Sequence, residues 1–161
     1  MKEKYLSYYM EIARTTAGLS TAIKAKVGAV IVKDNRIISS GYNGTPSGWD
    51  NNCEEWHQYP EVNWTLAGED KDVYGEYRSK PEVLHAEANA ITKLAKSTES
   101  GEGATLFTTH LPCIECAKLL FQSGINTVYY DIPYRASKGC GEDFLIKSGV
   151  VLKQLGVNDE R

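Results

Sequence analysis

The sequence has no long apolar run. None of its hydrophobic stretches approaches the roughly 20 residues needed to cross a bilayer. Residues 2 to 14 mix Lys, Glu, Tyr and Arg, where a secretory leader would be apolar. It also has no basic stripe. Eighteen Lys and Arg face 21 Asp and Glu, for a formal charge of −3. That balance speaks against an extended phosphate backbone as the main partner. A small anionic ligand stays open, because one or two basic side chains suffice for one phosphate. Cysteine is scarce. Four residues in 161, two of them in a metal-type pair, fit a reducing cytoplasm better than a disulfide framework. There is no internal repeat and no low-complexity tract. At 42% hydrophobic and 24% charged, the chain is expected to form one soluble domain over residues 1–161 with a full core.

What is present has clear periodicity. Tyr5, Tyr8, Tyr9, Ile12 and Ala13 recur at helical spacing and predict a helix over 3–18, stopped by Gly18. Residues 27–33 and 36–42 are two β-rich runs joined by Asp34-Asn35, a hairpin pattern. Residues 43–82 break the pattern and read as a long insertion loop. From 50 to 82 they hold nine Asp or Glu against three Lys or Arg. A loop of this length is usually functional or carries order of its own. A helix is expected over 85–96, a strand over 104–109 and a helix over 113–123, opened by Pro112 and ended by Gly124. A strand over 126–131, a short helix over 141–148 and a last strand over 150–155 follow. The alternation in the second half implies parallel strands with right-handed helical crossovers.

Two short segments carry the chemistry: His85-Ala86-Glu87 and Pro112-Cys113-Ile114-Glu115-Cys116. His85, Cys113 and Cys116 offer one imidazole and two thiolates, a ligand set suited to zinc. Three protein ligands leave a fourth zinc position for water, and Glu87 is a carboxylate free to move protons. Cys113 and Cys116 are three apart, so helical pitch puts both thiols on one face. Near a helix N-terminus, free N–H groups and the positive dipole end favour thiolate. His85 and Glu87 are two apart, so their side chains diverge by about half a turn. One can hold metal while the other faces a substrate.

Plainer readings stand beside this one. A C-x-x-C pair also occurs in closed, four-ligand structural zinc sites, with Cys53, His57 or Cys140 available as the fourth ligand. Cys53 and His57, four apart in the insertion, are either ordinary loop residues or ligands of a second, structural zinc. His110 is expected in a packing or hydrogen-bonding role. Trp49, Trp56 and Trp64 are expected as loop anchors or interface contacts rather than stacking platforms.

The pattern H-x-E followed by P-C-x-x-C is that of zinc nucleobase deaminases. Over roughly residues 1 to 155 the chain resembles deoxycytidylate (dCMP) deaminases of the cytidine deaminase superfamily, of phage and bacterial type. Besides the zinc motifs, the resemblance rests on Lys26-Val-Gly-Ala-Val-Ile-Val32, Gly41-Tyr-Asn-Gly44 and Gln122-Ser-Gly-Ile125, and on the insertion before His85. It implies a three-layer α-β-α fold with a five-stranded mixed sheet. It implies zinc on His85, Cys113 and Cys116, with Glu87 as proton shuttle. Asn43 is then expected at the sugar or base, the backbone of Ala86 at the pyrimidine, and Tyr134 and Arg135 at the 5′-phosphate. Lys24 stands where some members carry a basic phosphate contact. Some members bind a second zinc through a set with a glutamate two before the zinc histidine, but here that position is Val83.

The resemblance implies conversion of dCMP to dUMP for thymidylate synthesis, in the cytoplasm, or in the host cytoplasm for a phage enzyme. It also implies a homo-oligomer, a hexamer in many members. Activation by dCTP, with Mg2+ accompanying the nucleotide, and inhibition by dTTP belong to the same expectation. The competing function is a deaminase acting on tRNA or single-stranded nucleic acid.

Overall fold

The computed structural model describes residues 1–59, 75–134 and 139–155. Helix α1 (Glu3–Ala17) leads into strands β1 (Gly28–Lys33) and β2 (Arg36–Tyr42). These form the expected antiparallel hairpin. Asp34 and Asn35 turn it with φ of 50° and 57°, the left-handed pair that a two-residue hairpin turn needs. Strands β3 (Glu54–Gln58) and β4 (Gly75–Ser79) follow, then α2 (Ala86–Leu94), β5 (Thr105–His110), α3 (Ile114–Gln122), β6 (Thr127–Ile132), α4 (Glu142–Lys147) and β7 (Val151–Gln154).

The central sheet is five-stranded and mixed, in the order β2–β1–β5–β6–β7. β1 runs antiparallel to β2 and β5, whereas β5, β6 and β7 are parallel. The parallel half is the one the sequence alternation implied. The two faces of β1 divide the core. Ala29 and Ile31 pack with Leu106 and Val128 under Ala86, Ala90, Ala117, Leu120 and Leu145 of α2, α3 and α4. Val30 and Val32 pack with Phe107 under Tyr9, Met10 and Ala13 of α1. Helices on both faces make the three-layer α-β-α arrangement. No helix among the described residues is long and apolar enough to cross a membrane.

The insertion departs from a plain loop. β3 and β4 pair as a separate two-stranded sheet, with Trp56 opposite Tyr77 and their rings in edge contact at 5.1 Å. The helix boundaries also shift. α2 begins one residue after His85, and α3 one residue after Cys113. Pro112 therefore stands before the cap rather than at the first helical position. The cap belongs to Cys113, extended at φ −70° and ψ 168°.

Two glycines set where the helices rest. A side chain on Gly28 would overlap the backbone of α1 at Ala13 and Ala17. One on Gly41 would overlap the backbone of α2 at Ala86 and Ala90. α2 thus sits directly on β2, with its first turn at the end of the sheet where β5 finishes.

Candidate metal centre and active site

The antiparallel register places Ala29 opposite Thr108 and Gly28 opposite Tyr42. The start of β1 and the ends of β2 and β5 therefore share one edge. Residues after β2 and before α2 meet there. Gly44 and Leu84 exchange backbone hydrogen bonds of 3.1 and 2.9 Å, so His85 emerges beside the Gly41–Gly44 segment. Residues after β5 bring in the cysteines. The loop before α4 closes the other side: Ile114 N–H donates to Gly139 O, and Gly141 N–H to Pro112 O.

His85 caps α2 and Cys113 caps α3. The two N-termini converge. His85 Nδ1 lies 3.4 Å from both Cys113 Sγ and Cys116 Sγ, although 28 and 31 residues separate them in the chain. These three residues are the group of potential ligands found among the described residues, their donor atoms all within 4.8 Å of one another. Tetrahedral zinc with bonds of about 2.0–2.3 Å sets nitrogen and sulfur ligands roughly 3.5 Å apart. The donor set fits zinc in identity and spacing.

The two thiols hydrogen-bond each other, and the bond shifts them in opposite directions. Its hydrogen bond with Cys116 pushes the Cys113 thiol down, and His85 adds to this against the effect of burial. The same hydrogen bond and burial push the Cys116 thiol up. Such a pair gives up one proton easily and the second only when a cation is there to balance it.

Glu87 is 4% exposed and lies against Cys116. Burial raises its carboxyl above the usual carboxylate range, opposed by its own backbone N–H and by His85. His85 is exposed and Glu87 buried; because His85 is the extended cap rather than a helical residue, the half-turn separation expected of a regular helix does not apply, and both side chains lie beside Cys116. A buried, protonatable carboxylate beside a three-ligand metal set is equipped for general acid–base work on a metal-activated water.

The other expected residues separate. Ala86 is fully buried between His85 and Glu87. Asn43 lies at the shared edge, where its side chain holds a backbone segment: Oδ1 accepts from Val27 N–H and Nδ2 donates to Ala25 O, both at 2.8 Å. Lys24 is exposed on that same segment. Tyr134 follows β6 and makes an edge contact with His110 at 6.1 Å. Arg135 and Trp64 fall outside the described residues. His110 has the hydrogen-bonding role expected of it, with Nδ1 3.0 Å from Thr109 Oγ1.

Cys53 and His57 are not brought together. Cys53 stands directly before β3 and His57 lies within it, and neither belongs to the group of potential ligands found among the described residues. Cys53 is 1% exposed and its sulfur rests 3.4 Å from Thr21 Oγ1. His57 Nε2 pairs with Glu55 at 3.0 Å. Cys140 pairs with Cys113 in an isolated backbone bridge. Trp49 and Trp56 are both exposed, and Trp56 makes an edge contact with Tyr77 across the hairpin. Sequence reasoning missed Glu54. It is 8% exposed, and its carboxylate accepts from Ile23 N–H and Lys24 N–H. Only the dense acidity of the insertion hinted at it.

Comparison with known proteins agrees with this geometry. Residues 3–132 match the family model of the cytidine and deoxycytidylate deaminase zinc-binding region. The deoxycytidylate deaminase of Enterobacteria phage T4 is 36% identical over 168 residues, covering 89% of this chain and 86% of that protein. ComE operon protein 2 of Bacillus subtilis is 33% identical over 152 residues, covering 94% and 71%. The crystal structure of dCMP deaminase from cyanophage S-TIM5, in complex with dCMP and dUMP, superposes with a TM-score of 0.79 at 38% identity, covering 96% of this chain and 99% of that one. The five-stranded mixed sheet, the His-Cys-Cys set and these matches together show that the chain belongs to the cytidine and deoxycytidylate deaminase family.

Proposed function

We propose that the chain catalyses hydrolytic deamination of dCMP to dUMP and ammonia, supplying dUMP for thymidylate synthesis. His85, Cys113 and Cys116 hold zinc in this reading, and Glu87 carries the protons. The observation that carries it is the buried Glu87 carboxyl set beside the converging donors of two helix N-termini. When bound, zinc supplies Lewis acidity that makes a water nucleophilic near neutral pH. Glu87 takes a proton from that water and passes it to the ring nitrogen next to the amino-bearing carbon. The water oxygen bonds to that carbon. Glu87 then takes the remaining proton of that oxygen and delivers it to the amine, the carbon–nitrogen bond breaks, ammonia leaves, and the oxygen stays as the carbonyl of dUMP. A carboxyl with a raised pKa suits a group that acts as base and acid in turn.

Asn43 and the Ala86 backbone contact the nucleoside in this reading, and Tyr134, Arg135 and Lys24 the 5′-phosphate. A guanidinium is the natural partner of a held monophosphate, since its planar fork matches two phosphate oxygens. The match to a structure that holds dCMP and dUMP supports the substrate class. Activation by dCTP, inhibition by dTTP and assembly into a homo-oligomer complete the reading. Exposed Leu119, Phe121 and Ile146 supply apolar surface for assembly on α3 and α4.

The test is a substrate panel of dCMP, deoxycytidine, CMP and dCTP, run with and without added effector nucleotide and magnesium. Loss of cytosine absorbance and release of ammonia are followed. Selective turnover of dCMP is expected. No turnover of any free nucleotide by the zinc-loaded protein would overturn the reading in favour of a polymeric substrate.

A further inference from the structure

We infer that Glu54 is a positioning residue through which the β3–β4 hairpin sets the lysine-bearing loop 20–27, so that recognition of the substrate phosphate depends on the insertion. This rests on the monophosphate substrate proposed above. The loop carries Lys24 and Lys26, both exposed, to the catalytic edge of the sheet. It is gripped from two sides. On the catalytic side Ser20 Oγ donates to Asn43 O, and the Asn43 side chain binds Ala25 and Val27, each bond 2.8 Å. The next residue, Gly44, pairs with Leu84 beside His85. On the far side the insertion holds residues 21–24. Thr21 Oγ1 donates to Asn51 O at 2.7 Å. Ile23 N–H lies 3.1 Å from both Glu54 oxygens, and Lys24 N–H lies 3.3 Å from Oε1.

A carboxylate this buried loses hydration, and charge-assisted bonds from backbone N–H groups offset that loss. Its bonds here fix two successive amides, one of them Lys24's own. A lysine stem is flexible, so the place its ammonium reaches depends on where its backbone is held. The hairpin therefore reaches the phosphate through Glu54 and the loop, without touching the substrate.

The experiment compares kcat and KM for dCMP and deoxycytidine in the zinc-loaded wild type, Glu54→Ala, Glu54→Gln and Thr21→Val, with Lys24→Ala and Lys26→Ala as references for loss of a phosphate contact. Glu54→Ala is expected to raise KM for dCMP about ten-fold or more, with kcat for dCMP and turnover of deoxycytidine unchanged. Glu54→Gln keeps an oxygen that accepts both N–H groups and should restore most of the loss. Thr21→Val should shift KM in the same direction by less. Equal losses on both substrates, no loss for dCMP, or indifference of dCMP turnover to both lysines would overturn the inference. Failure of the wild type to prefer dCMP over deoxycytidine would instead sink the substrate reading itself.

Discussion

Gly41 of β2 lies directly beneath Ala86, the residue between His85 and Glu87. No side chain fits between them, because a Cβ on Gly41 would overlap the Ala86 carbonyl and the Ala90 amide. The strand thus fixes the height of α2 above the sheet, and with it the position of His85 and the Glu87 carboxyl at its start. Gly41→Ala is expected to cost about 1–3 kcal/mol by overpacking. It should also weaken metal binding and lower kcat, since α2 must lift. Thermal unfolding and a zinc competition titration on the same variant check both parts. A variant with normal zinc affinity and activity would show that α2 is not held by this contact.

In the proposed mechanism, Glu87→Gln removes the proton carrier and leaves the His85, Cys113 and Cys116 donors in place. The amide has nearly the same volume as the carboxyl, so the buried site beside Cys116 stays filled. Zinc content should remain at the wild-type level, while kcat on dCMP falls by about 10²–10⁴. Metal analysis together with single-turnover rates separates the two effects. Loss of zinc in this variant would mean that Glu87 supports the donor set rather than the reaction.

Much of this arrangement is legible in the sequence, and the reason is local. A C-x-x-C at a helix start and an H-x-E at another are short patterns whose geometry follows from helical pitch. The strands β1, β5 and β6 are apolar enough to announce themselves. β3 and β4 are not. Glu54–Gln58 reads EEWHQ, with only Trp56 as an apolar residue, and its pairing with β4 depends on partners some 20 residues away. The roles of Asn43 and Glu54 were hidden for the same reason. Their partners are backbone groups 16 to 31 residues distant, and backbone groups carry no sequence signal. Pro112 misled by two positions, since α3 begins at Ile114 after the Cys113 cap.

Removal of zinc should abolish turnover and loosen the fold. Without a cation the Cys113 and Cys116 sulfurs keep the hydrogen bond between them, and α2 and α3 lose the tie between their first turns. Zinc affinity should fall as pH falls, because binding both thiolates releases protons. Dialysis against a chelator at several pH values, followed by metal analysis and a melting curve, measures this. Activity should return on adding zinc. Full activity in chelator-treated, metal-free protein would exclude the proposed mechanism.

His110 gives a pH dependence of stability with a definite sign. It is half-buried behind Tyr134, and burial lowers its pKa, with Asp131 pulling weakly the other way. The unfolded chain therefore takes up the proton more readily than the folded one. Stability from this group is present above the ordinary histidine pKa of about 6.5 and is lost as pH falls through the lower folded value. His110→Asn removes the titration and leaves a polar group near Thr109 Oγ1. From about pH 7.5 to about pH 5.5 the melting temperature of wild type should therefore fall more steeply than that of the variant. Zinc lost to acid lowers both curves alike, so the difference in slope belongs to His110. Parallel curves would show that His110 carries no such linkage.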